Sequence, residues 1–179
     1  MIDDRVEEIL ISNEELKKGI KEAANWIDIN YTSKEPVLIG LLKGCIPFYG
    51  HLITLIKTDF TTDFMVVSSY KGTDKTNGKP EIVTDIYTDI NNKDVILIED
   101  IVDSGYTIKF VKEYLYQRNP RSVKVITLLD KKEGRKVEFE ADYKCFDVEN
   151  KFLVGFGLDY QEKCRNLPHI CVMRKDKIG

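Results

Sequence analysis

Short, nearly all-apolar runs alternate along this chain with stretches whose apolar residues recur every three or four positions. Val37-Leu38-Ile39-Gly40-Leu41-Leu42 and Val95-Ile96-Leu97-Ile98 read as strands buried on both faces. Phe64-Met65-Val66-Val67, Val123 to Leu129, Phe152 to Phe156 and His169 to Met173 supply further strands. Ser12-Asn13-Glu14-Glu15 has the form of a capping box, and Leu16, Ile20, Ala23 and Ile27 follow at helical spacing, so an amphipathic helix is predicted over about residues 13–29. Pro47 opens a second helix carrying Leu52, Ile53, Leu55 and Ile56, and a third runs from Ile108 to Arg118, ended near Pro120. Strands alternating with helices predict an α/β fold: one domain over residues 1–179, with a mostly parallel sheet flanked by helices on both faces. Lys71 to Pro80 is polar, with two glycines and a proline, and reads as a long mobile loop of the kind that serves as a lid.

Composition narrows the class without changing the fold. The 179 residues are 42% hydrophobic and 32% charged with a net charge of −3, ordinary for a globular domain and without a cationic footprint for nucleic acid. No apolar run approaches the roughly eighteen residues of a membrane span. The acidic start, Met1-Ile2-Asp3-Asp4, lacks the basic and apolar segments of a signal peptide, so a cytoplasmic location is expected. Cys45, Cys145, Cys164 and Cys171 form no CxxC pair and there are two histidines, which argues against a zinc site or a disulfide framework.

The candidate chemistry lies in Val95 to Thr107. Ser104, Gly105, Tyr106 and Thr107 place backbone N–H groups and hydroxyls at a helix N-terminus, where a phosphate is favoured. Glu99 and Asp100 end the preceding strand, at the edge where open parallel sheets bind ligands. Adjacent carboxylates would repel an anion unless they face sugar hydroxyls or a metal ion, and a ribose 5-phosphate satisfies both halves. The plainer reading is an acidic strand end before a capped helix, with Asp103 as the N-cap. No GxxxxGK[ST] loop is present, and Gly155-Phe156-Gly157 lacks the third glycine of a dinucleotide fingerprint.

That segment resembles the phosphoribosyl-diphosphate signature of type I phosphoribosyltransferases. Leu42-Lys43-Gly44, Ser68-Ser69-Tyr70, Leu128 to Lys132, Lys151 to Tyr160 and Arg165-Asn166-Leu167-Pro168 resemble blocks of the hypoxanthine-guanine branch, in order over residues 37 to 173. The resemblance implies a small hood from about residues 150–179, with or without N-terminal residues, and a mobile loop over about 69–81. It implies Mg²⁺-dependent transfer of a phosphoribosyl group from 5-phosphoribosyl 1-diphosphate to a 6-oxopurine, by a homodimer or homotetramer. Asp103 would be the general base at the purine's imidazole ring, and Glu99 and Asp100 would face the ribose hydroxyls and magnesium. Ser104, Gly105, Tyr106 and Thr107 would hold the 5′-phosphate, Lys43, Gly44 and Arg165 the diphosphate, and Asp159 would be a second magnesium contact. Lys131 would donate to the 6-oxo group, Phe152 would stack on the purine and Leu153 would offer backbone contacts. Ser69 and Tyr70 would begin a closing flap, and the Leu42–Lys43 peptide would be cis.

The lysine-rich loop after Tyr70 and Cys164, in place of an aromatic, depart from the family pattern. Two other readings use the same fold: an RNA-binding regulator like the pyrimidine-operon attenuation proteins, and a phosphoribosyltransferase specific for xanthine.

Overall fold

The computed structural model describes residues 3–69 and 80–179. The expected mobile loop therefore falls largely on residues 70–79, outside the described residues, as does Tyr70.

The chain opens with β1 (Val6–Ile11) and α1 (Asn13–Asn30). The capping box is formed in both directions: Ser12 Oγ accepts from the Glu15 N–H at 3.3 Å, and Glu15 Oε2 accepts from the Ser12 N–H at 2.8 Å. Leu16, Ile20, Ala23, Ala24 and Ile27 form the buried stripe of α1. Next come β2 (Val37–Leu42) and α2 (Ile46–Ile53), which stops short of Leu55 and Ile56. Thr54 Oγ1 donates to the His51 carbonyl at 2.8 Å, a local bond that competes with further helix. After β3 (Thr61–Ser69) and β4 (Pro80–Thr84) come β5 (Asp94–Val102), α3 (Tyr106–Tyr116), β6 (Ser122–Asp130) and β7 (Tyr143–Asp147). The chain ends with β8 (Leu153–Val154) and β9 (Ile170–Met173).

Six strands form the main sheet in the order β4-β3-β2-β5-β6-β7, all parallel except β4, which runs antiparallel to β3. The apolar runs are explained by which face each residue meets. Leu38, Ile96, Ile98, Ile126 and Leu128 pack with α1 and α2, while Val37, Ile39, Val95, Leu97, Val123 and Val125 pack with α3 on the other face. A second, antiparallel sheet has the order β1-β9-β8.

Three details differ from the sequence expectation. The strand predicted over Phe152 to Phe156 ends at Val154, because Gly155, Phe156 and Gly157 all take positive φ. The third helix starts at Tyr106, two residues earlier than expected. Strands β1, β4 and β7 have no counterpart among the predicted elements, since edge positions leave them half-exposed and without an apolar run. Among the described residues, no helix is long and apolar enough to cross a membrane.

Parallel pairing carries function. It brings the C-terminal ends of β2, β5 and β6 to one edge, with Val102 level with Asp130, so Lys43, Asp103 and Lys131 leave neighbouring strands side by side.

Candidate active site

A cleft of about 720 Å³ opens at that edge, bounded by the turns after β2 and β5, the segment after β6, and the loop around Asp159 and Arg165. Lys43, Gly44, Glu99, Asp100, Asp103, Ser104, Gly105, Thr107, Asp159 and Arg165 all line it. These residues lie up to 122 positions apart in sequence and meet because the loop holding Asp159 and Arg165 comes to the ends of β2 and β5.

The N-terminus of α3 is left open toward a ligand. Its N-cap is Gly105 at φ 84°, no side chain caps it, and no acidic residue stands in its first turn. The N-terminus of α1, by contrast, is closed by Ser12 and flanked by Glu14 and Glu15. Orphan N–H donors and the positive end of the helix dipole therefore serve the cleft, beside Ser104 and Thr107. The N-cap reading of Asp103 is overturned, because Asp103 Oδ2 accepts from Lys131 Nζ at 3.2 Å instead.

Glu99 is buried and its Oε1 accepts from the Asp100 N–H at 3.1 Å, while Asp100 Oδ1 accepts from the Ile101 N–H at 2.7 Å. Burial, reinforced by the neighbouring Asp100 charge, pushes the Glu99 carboxyl well above the usual carboxylate range, and burial also raises Asp100. A raised carboxylate leaves the folded state holding more protons than the unfolded chain. This contribution to stability is complete below the ordinary carboxylate value and lost as pH rises through the raised one. Glu99→Gln removes that loss. Its melting temperature should gain on the wild type as pH climbs from about 5 to about 8, by roughly 2–4 °C for each kcal/mol recovered. A constant difference across thermal melts at those pH values would refute the assigned titration.

Two cations, Lys43 and Arg165, also line the cleft. Arg165 donates from Nη1 to the Gly157 carbonyl at 2.8 Å and pairs through Nη2 with Asp159 at 2.8 Å and Glu162 at 3.1 Å. Lys43 Nζ meets the other Glu162 oxygen at 3.0 Å, and the Leu42–Lys43 peptide is cis. Glu162 thus lies between the two cationic heads. Sequence reasoning passed it over because an exposed glutamate carries no pattern of its own.

The magnesium assignment divides. Among the described residues, no three acidic, histidine or cysteine side chains converge as a metal cage. Asp159 stands apart from Glu99 and Asp100, with one oxygen on Arg165 and the other accepting from the Glu162 N–H at 2.8 Å. The Glu99–Asp100 pair nevertheless fits an ion that takes few carboxylates and completes its shell with substrate oxygens and water.

Lys131 is buried behind Asp103 and does not itself line the cleft. Phe152, Leu153 and Tyr106 do not line this cleft. Phe152 borders a neighbouring cavity of about 300 Å³ and meets Tyr160 edge-on with ring centroids 5.7 Å apart. Leu153 is buried in β8, and Tyr106 is half-exposed on α3. Ser69 ends β3. Glu133, Gly134, Lys136 and Asn150 also line the cleft, unanticipated; the basic run from Lys131 to Lys136, directly after a buried strand, was the available signal.

Comparison with known proteins agrees with this geometry. The phosphoribosyl transferase domain family matches residues 6–161. The hypoxanthine-guanine phosphoribosyltransferase of Streptococcus mutans is 44% identical over 176 residues, 98% of each chain. That of Streptococcus thermophilus is 45% identical over the same shares. Among solved structures, a hypoxanthine phosphoribosyltransferase from Staphylococcus aureus superposes with a TM-score of 0.92 at 39% identity, covering 97% of this chain and 94% of the other. The Trypanosoma cruzi hypoxanthine phosphoribosyltransferase in complex with the product IMP superposes with a TM-score of 0.91 at 34% identity, covering 99% of both. With the uncapped helix, the adjacent Glu99 and Asp100 carboxylates and Asp103 in one cleft, the chain belongs to the phosphoribosyl transferase domain family, in its hypoxanthine-guanine phosphoribosyltransferase branch.

Proposed function

We propose that the protein transfers the 5-phosphoribosyl group of 5-phosphoribosyl 1-diphosphate to hypoxanthine or guanine in the presence of Mg²⁺, giving IMP or GMP and diphosphate. The observation that carries this reading is the Asp103–Lys131 pair, 3.2 Å apart, beside an open helix N-terminus. A 6-oxopurine presents its oxo group and N7 on one edge. Lys131 matches the oxo group and Asp103 matches a proton on N7, whereas the amino group of adenine would face an ammonium with no acceptor.

In this scheme Ser104, Gly105, Tyr106 and Thr107 hold the 5′-phosphate, and Glu99 and Asp100 take the ribose hydroxyls. Lys43, the Gly44 backbone and Arg165 receive the diphosphate, which displaces Glu162 from the two cations. N9 of the purine attacks the anomeric carbon as the bond to diphosphate breaks, and the N7 proton passes to the Asp103 carboxylate. Magnesium, when bound through Glu99 and Asp100, supplies charge neutralisation for the departing diphosphate. Phe152 and Leu153 would complete the base site, and Ser69 and Tyr70 would begin the segment that closes over it. Assembly as a homodimer or homotetramer, which the resemblance implies, and a cytoplasmic location complete the reading.

The test is turnover of hypoxanthine, guanine, xanthine and adenine by purified protein with 5-phosphoribosyl 1-diphosphate and Mg²⁺. Product is expected from hypoxanthine and guanine, none from adenine, and chelation with EDTA should abolish turnover. Failure to form IMP or GMP would end this reading, and turnover of xanthine alone would move the substrate assignment.

A further inference from the structure

The segment after β6 braces the backbone that carries Asp103. The Lys131 N–H donates to the Val102 carbonyl at 3.0 Å, and the Lys136 N–H donates to the Ser104 carbonyl at 2.9 Å. Between these two ties, Arg135 reaches back across the turn. Its Nη1 donates to the Val102 carbonyl at 3.1 Å and to the Asp103 carbonyl at 2.7 Å. Its Nη2 pairs with Asp130, a carboxylate only 3% exposed at the end of β6. The Arg135 side chain is itself 14% exposed and lies 5.9 Å from the centroid of the Phe139 ring. One planar guanidinium therefore fixes two successive carbonyls of the Asp103 turn to the end of the neighbouring strand. A lysine, with a single nitrogen, has no equivalent fork.

The carboxylate of Asp103 also meets this segment. A Cβ on Gly134 would stand 1.8 Å from Asp103 Oδ1, while Lys131 Nζ holds Oδ2. The carboxylate thus rests on the bare backbone of the turn that Arg135 anchors.

We propose that Arg135 is a positioning residue for the reaction: it sets the Asp103 turn so that the carboxylate meets the purine proton, without touching substrate itself. This inference rests on the general-base reading of Asp103. A misplacement of about 1 Å at a reacting group can cost on the order of 100-fold in rate. Arg135→Ala and Arg135→Lys should therefore lower kcat by roughly 10–100-fold, while KM for 5-phosphoribosyl 1-diphosphate stays within about 3-fold, because the Ser104 carbonyl keeps its own tie to the Lys136 N–H and Lys43 and Arg165 lie on other segments.

A double-mutant cycle with Asp103→Asn decides between positioning and a merely structural ion pair. If Arg135 acts through Asp103, Arg135→Lys should cost little more once Asp103 is Asn, and millimolar guanidinium should restore part of the kcat of Arg135→Ala in the Asp103 background alone. Arg135→Lys keeps a cation beside Asp130, so the cycle stands even if Arg135→Ala does not fold. Losses that add independently would overturn the inference, as would a fall in melting temperature with kcat unchanged. An Asp103→Asn variant with wild-type kcat would remove the general-base reading and this inference with it, whereas a slow Asp103→Asn with additive losses would remove the Arg135 role alone.

Discussion

Asp103→Asn should lower kcat with hypoxanthine by two to four orders of magnitude, the range that a positioned general base contributes. The substitution keeps the shape of the side chain and removes its capacity to accept the purine proton. The structure also limits what else it can disturb. Asp103 does not cap α3, where Gly105 occupies the N-cap, so helix stability does not depend on it. Its side chain is 51% exposed, so solvent screens its pairing with Lys131, whose own side chain is 9% exposed. Loss of that pairing should cost about 1 kcal/mol, or some 2–4 °C in melting temperature. KM for 5-phosphoribosyl 1-diphosphate should change little, because Ser104, Gly105 and Thr107 keep their places around the open helix terminus. Steady-state kinetics read the split directly. A kcat within about 10-fold of the wild type would take proton abstraction away from this residue.

The sheet and its ligand edge were legible because two-sided burial forces apolar runs, and Val37–Leu42 and Val95–Ile98 are such runs. The acidic pair before Ser104-Gly105-Tyr106-Thr107 marked the cleft by charge logic alone, since an anion site beside carboxylates needs something for those carboxylates to face. Asp103 was legible only as a choice between helix cap and cleft group, and the left-handed backbone of Gly105 made the difference. What stayed hidden depends on pairing across the fold. Strands β1, β4 and β7 lie at sheet edges, with β1 carrying exposed Glu7 and Glu8, and show no period that separates them from loops. Glu162 and Arg135 are surface-type residues in sequence. Their importance comes from the partners the fold supplies: Lys43 and Arg165 for Glu162, and two carbonyls with a buried aspartate for Arg135.

Gly157→Ala should destabilise the protein by about 3 kcal/mol or more, about 6–12 °C in melting temperature, and weaken diphosphate binding in parallel. Two independent causes act at this position. Its φ of 103° is a conformation that residues with a side chain rarely adopt, a cost on the order of 1–3 kcal/mol. An added Cβ would also stand 1.9 Å from the Gly44 carbonyl oxygen and 2.9 Å from Pro47 Cδ, and the nearer of these is backbone that no rotamer change can move aside. Relief requires the segment from Gly155 to Arg165 to draw away from the turn after β2. That segment holds Arg165 through its own backbone, with the Gly157 N–H on the Arg165 carbonyl at 3.0 Å and Arg165 Nη1 on the Gly157 carbonyl at 2.8 Å. Separation therefore moves Arg165 away from Lys43, and the two cations that would share the diphosphate no longer face one anion. Gly50→Ala is the control, since nothing lies within 4 Å of its added Cβ and it sits inside α2. That variant should melt at or slightly above the wild-type temperature, by the better helix propensity of alanine. Thermal melts and calorimetric titration with inorganic diphosphate and Mg²⁺ would read both effects, and a Gly157→Ala protein equal to wild type in the two would show that the close approach of these loops neither holds the fold nor builds the diphosphate site.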